Sequence, residues 1–93
     1  MSVIGPQAAT LANVASSSSS VNLFAATALA KGRTIFNDST QVLYVKFGAT
    51  ASTSSYTVQI AAGGYYEFPQ PAYSGNVDGI WASANGNARL TSW

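Results

Sequence analysis

Along residues 41–47 the side chains alternate, with Leu43, Val45 and Phe47 on one side of the chain and Tyr44 and Lys46 on the other. A two-residue period lays one row of side chains on each face of an extended strand. It cannot make the stripe of an amphipathic helix, where apolar positions recur every three to four residues. The same period returns in residues 55–60, which places Tyr56, Val58 and Ile60 inward and Thr57 and Gln59 outward. Only residues 25–30 have helix-forming composition, and so short a run cannot sustain a helix by itself.

Turn chemistry divides the remainder into further short strands. Residues 20–24 and 34–37 read as strands, the second followed by the turn residues Asp38, Ser39 and Thr40. Gly63 and Gly64 supply the positive φ values of a tight turn into residues 65–68, and Pro69 and Pro71, which cannot donate to a ladder, end that strand. Asn85-Gly86 is the preferred pair for a two-residue type I′ turn, so residues 77–84 and 88–93 are expected to close the domain as a β-hairpin. Residues 1–9 read as an N-terminal extension or arm, and residues 10–93 as a single domain. The expected fold is all-β: an antiparallel β-sandwich or small barrel of about seven short strands, preceded by the short arm.

Composition narrows the function classes. The chain of 93 residues has no His and no Cys, which removes imidazole- or thiolate-based catalysis, the zinc sites built on either, and any disulfide. Its acids are Asp38 and Asp78, both beside turns, and Glu67, facing outward on a Tyr-rich strand; none forms an evident catalytic pair. No catalytic residue, cofactor or metal is expected, and the chain reads as a non-enzyme. Charged residues make up 8% of it, against about 25% in ordinary domains. The basic residues Lys31, Arg33, Lys46 and Arg89 are dispersed, which argues against a nucleic-acid or membrane partner. The first residues carry no basic side chain ahead of an apolar run and do not read as a secretion signal.

Tyr and Trp are plentiful for so short a chain, and three uses compete for them: core packing, a protein interface, and a sugar-stacking platform. Alternation puts only one of Tyr65 and Tyr66 inside. The candidate interface residues are Tyr44, Tyr66, Tyr73, Trp81 and Trp93, and the turn-defining residues are Gly63, Gly64, Asn85 and Gly86.

Several segments taken together carry a resemblance. They are residues 9–16 ahead of the serine run, 31–40 (KGRTIFNDST), 43–52 (LYVKFGATAS), 64–69 (GYYEFP), 73–75 (YSG) and 79–86 (GIWASANG). The chain resembles small structural proteins of tailed bacteriophages, of the kind that decorate or cement the capsid exterior. The resemblance implies a virion protein made in the bacterial cytoplasm, bound to the major capsid protein and associating with itself as a homotrimer. A head-fibre or tail component that binds carbohydrate or a receptor is the alternative it leaves open.

Overall fold

The computed structural model describes residues 8–28 and 30–93. The expected arm over residues 1–9 falls outside the described residues except for Ala8 and Ala9. Eight strands run through the described residues: β1 (Thr10–Ala15), β2 (Val21–Phe24), β3 (Arg33–Ser39), β4 (Leu43–Phe47), β5 (Val58–Ile60), β6 (Tyr65–Glu67), β7 (Val77–Trp81) and β8 (Gly86–Ser92). They make two four-stranded antiparallel sheets, ordered β1-β8-β3-β6 and β2-β7-β4-β5. The all-β sandwich is therefore the observed fold, and residues 25–28 and 30 form no helical turn.

The strands pair from the two ends of the chain inward. β1 pairs with β8, β2 with β7, β3 with β6, and β4 with β5. Two further ladders, β3 with β8 and β4 with β7, close each sheet. A long hairpin folded back over itself gives this order, which is that of a jelly roll. Of the seven connections only β4 to β5 stays within one sheet; the other six cross between sheets.

That topology overturns the expected hairpin at Asn85-Gly86. β7 and β8 lie in different sheets, so residues 82–85 bridge the sandwich and do not turn a ladder back on itself. Gly86 has φ +91, as a type I′ turn would demand, but Asn85 is not left-handed. Gly86 opens β8 opposite Ser39 at the end of β3, where an added Cβ would run into the backbone oxygen of Asp38. The glycine serves a close approach between strands of one sheet. At Gly63, φ +74 completes a turn in which the Gly64 N–H donates to the Ala61 oxygen at 2.7 Å. Gly64 itself has no positive φ; it stays small because a Cβ would sit 2.8 Å from that oxygen. Asp38 and Ser39, expected in a turn, instead extend β3, paired with Asn87 and Gly86.

Alternation fixes what each strand buries. Leu43 and Val45 of β4, Ile35 of β3, Val77 and Trp81 of β7, and Ala88 and Leu90 of β8 meet in the core with Leu23, Phe24, Ile60 and Phe68. Tyr56, expected inward, is exposed because it precedes β5 and has left the alternating ladder. Two polar side chains on β3 share the inner face with Ile35. Asn37 is fully buried and gives its amide hydrogens to the carbonyls of Gln41, Ile60 and Ala61 at 2.8–3.1 Å. Arg33 is 1% exposed, and its guanidinium lies 4.8 Å from the Phe24 ring centroid. It donates to the carbonyls of Ala25, Tyr73 and Gly75 at 2.8–2.9 Å, so backbone dipoles replace the water that a buried cation loses. Burial pushes its pKa below the ordinary guanidinium value, with the Tyr73 hydroxyl acting weakly in the other direction.

Candidate functional site

The same register that buries Ile35 and Leu90 turns their neighbours outward. Across the first sheet one outer row reads Asn13 (β1), Arg89 (β8), Phe36 (β3) and Tyr65 (β6). The row beside it reads Leu11, Thr91, Thr34 and Glu67, and a third reads Ala15, Asn87 and Asp38. Among the described residues the exposed large hydrophobic side chains are Leu11 at 76%, Tyr65 at 62%, Tyr56 at 40% and Phe36 at 39%. Three of those four stand on this one face.

Arg89 binds Asp38 on the same face, Nε to Oδ2 at 2.9 Å, with both side chains about half exposed. An ion pair so open to water contributes little stability, but it leaves the centre of the face without an unpaired charge. Between β1 and β8 lies a shallow depression of about 240 Å³ lined by Leu11, Ala12, Asn13, Arg89, Leu90 and Thr91. Its walls carry amide, hydroxyl, guanidinium and aliphatic groups, which suit contact with a surface and supply no acid–base pair. Glu67 and Asp38 stand on this face, whereas Asp78 lies on the other sheet.

The opposite outer face is more polar. Tyr44 faces Gln59 on β5 and Ile80 on β7, and Lys46 faces Asp78. Tyr44 and Tyr56 meet edge to face with centroids 5.1 Å apart, and Gln59 donates to the Tyr56 hydroxyl at 2.6 Å. Asp78 accepts from the Thr50 N–H at 2.7 Å and from the amides of Asn76 and Asn22 at 2.9 and 3.2 Å. Partial burial pushes its pKa up, but those three hydrogen bonds and the Lys46 charge together outweigh this and hold the carboxyl below its ordinary value. The arrangement secures the loop after β4, where Thr50 sits at φ +62, unusual for a β-branched residue.

The structure divides the expected interface residues. Trp81 is 1% exposed and belongs to the core, so it offers no contact surface. Tyr66 faces inward beside Ile35 and packs on Phe68, with centroids 5.6 Å apart. Tyr73 stacks on Phe47 at 4.7 Å and 12°, also against the core. Trp93 is half-buried, its indole pressed on Gly32, where any Cβ would strike the ring. Of the five, only Tyr44 stands on an outer sheet face, and it is half-buried.

The residues that do gather on one face, Leu11, Phe36 and Tyr65, were absent from that set. Alternation carried a signal for two of them: Phe36 follows the inward Ile35, and Tyr65 precedes the inward Tyr66. For Leu11 nothing local was available, because residues 10–15 are small and mixed. The chain matches no protein-family model, no curated protein and no solved structure.

Proposed function

We propose that this chain is a non-catalytic structural protein of a tailed-phage virion, binding the major capsid protein from outside as a decoration or cement protein. The observation that carries the reading is that Leu11, Phe36 and Tyr65, three exposed large apolar side chains, stand on the outer face of the β1-β8-β3-β6 sheet, with Phe36 and Tyr65 paired across β3 and β6. Exposed aromatic side chains side by side on a sheet face, as Phe36 and Tyr65 are, suit contact with another protein. The ion pair of Arg89 with Asp38 lowers the desolvation cost of covering that face, since neither charge enters the contact alone. Docking would work by mass action, adding buried surface that must be re-exposed before neighbouring capsid subunits part. Jelly rolls serve in viral capsids and in lectins alike, so the architecture is compatible with the reading without selecting it.

The test is co-sedimentation of the purified protein with capsids stripped of their exterior proteins. Wild type should pellet with the particles, and a Phe36→Ser, Tyr65→Ser double variant, still folded by circular dichroism, should stay in the supernatant. Wild type that never pellets, together with its absence from purified virions by mass spectrometry, overturns the proposal.

A second reading, a head-fibre or tail module that binds carbohydrate, draws on the Tyr44–Tyr56 pair and the Gln59 amide on the opposite face. An aromatic surface beside a fixed amide is the chemistry that stacks on and orients a sugar ring. Binding on a glycan array that disappears in Tyr56→Ala but persists in the Phe36→Ser, Tyr65→Ser variant would select this reading.

A further inference from the structure

We infer that the free edge of β1 pairs with β1 of a second copy, antiparallel and about a twofold axis at Asn13, joining two four-stranded sheets into one. The ladder parity identifies which groups face the free edge. Gly32 and Trp93 exchange N–H···O bonds at 3.0 Å, which turns the odd-numbered residues of β8 toward β3. The even-numbered ones therefore bond β1, as the Ser16 N–H donating to the Gly86 oxygen at 3.0 Å shows. With Thr10 opposite Ser92 and Ala15 opposite Asn87, the even residues of β1 bond β8. Leu11, Asn13 and Ala15 turn their N–H and C=O groups outward, and among the described residues no backbone partner meets them.

The other sheet edges are guarded and this one is not. β5 and β6 are three residues long, β6 runs into Pro69, and β2 has four residues with a register shift between Asn22 and Phe24. Shortness, proline and bulges are the devices that keep strand edges from pairing with other chains. β1 has six residues in unbroken register, without proline or charge.

The occupant follows from self-complementarity. A twofold at Asn13 puts Leu11 opposite Ala15 of the second copy on the outer face, a large side chain against a small one, and Asn13 opposite its own counterpart. On the inner face Ala12 meets Val14. All three outward-facing residues then sit in hydrogen-bonded pairs, about six backbone bonds in total. Centring on Ala12 would give about four and set Leu11 against Asn13. Each amide of the Asn13 pair can donate to the other's oxygen, so the axis leaves no polar group stranded. Because the contact is isologous it closes at two copies, in contrast to the trimer that the phage resemblance implies.

Light scattering on the purified protein should give twice the 9.6 kDa of one chain. Asn13→Lys sets like charges directly opposite each other and should halve that mass, while the monomer keeps the circular dichroism spectrum of the wild type. Since the chain contains no Cys, a single introduced one reports the register directly. Asn13→Cys should cross-link into a dimer under mild oxidation, its Cα pair about 5.5 Å apart. Ala15→Cys should not, because the two sulfur-bearing positions would lie roughly 13 Å apart along the strands. A monomeric or trimeric wild type, a dimer that survives Asn13→Lys, or cross-linking as efficient at position 15 as at 13 overturns the inference.

Discussion

The indole N–H of Trp81 on β7 donates to the side-chain oxygen of Asn37 on β3 at 3.2 Å, tying the two sheets together through the middle of the core. The same oxygen accepts from the Ser39 hydroxyl at 2.7 Å, and the Asn37 amide hydrogens close the β3–β4 and β5–β6 connections on the carbonyls of Gln41, Ile60 and Ala61. One buried side chain thus satisfies both sheets and two of the crossings between them. Replacing Asn37 with Leu strands the indole N–H and those carbonyls, and should cost about 3 kcal/mol in urea unfolding. Trp81→Phe should cost less, and a double-mutant cycle between the two should show coupling of about 1 kcal/mol.

Arg33 gives a second prediction. Its carbonyl partners lie on the loops after β2 and β6, so a methionine of similar length leaves several buried oxygens unpaired at once. We expect Arg33→Met to cost about 3 kcal/mol or more, a large part of the stability of so small a domain. Arg33→Lys should recover little of it, because a single ammonium cannot reach carbonyls spread around a planar fork.

The Asp78 carboxyl links stability to pH. Its folded-state pKa lies below the unfolded value, so it binds a proton more readily in the unfolded chain. The stabilisation is fully present above the ordinary aspartate pKa and is lost as the pH falls through the lower folded value. Wild type should therefore lose melting temperature in acid more steeply than Asp78→Asn. At neutral pH that variant should be less stable by about 1–2 kcal/mol.

The sheet crossing at residues 82–85 separates two readings of the same dipeptide. A hairpin would need both Asn85 and Gly86 in the left-handed region, so changing either would be costly. In the jelly roll only Gly86 is constrained, by φ +91 and by the Asp38 oxygen beside it. Asn85→Ala should thus stay within about 0.5 kcal/mol of wild type. Gly86→Ala should lose about 1–3 kcal/mol in the same denaturation experiment.

Local pattern located strands well where one face carries large apolar residues. Leu43 and Val45 inward with Lys46 outward follows from a two-residue period and nothing else, and Ile35 before Phe36 obeys the same rule. β1 has no comparable local pattern because Thr10, Ala12 and Val14 present a weak inner face; β8 makes it a strand by pairing along its whole length. The aromatic residues misled for a different reason. Tyr66, Tyr73 and Trp81 have the chemistry of interface residues, but a domain of this size must spend most of its large side chains on its own core.

From the sequence alone came the all-β class, the alternating faces of its stronger strands, and the scarcity of charge that leaves the outer faces to Ser, Thr, Asn and aromatic groups. Those are local properties, set by side-chain period and composition within a few residues. Which strands are neighbours was decided only in three dimensions. β1 pairs with β8 across more than seventy intervening residues, and no local signal encodes a partner that far along the chain. The row of Asn13, Arg89, Phe36 and Tyr65 exists because four strands from distant parts of the chain share one register. So does the open edge at β1, which is an edge only because every other strand has already been placed.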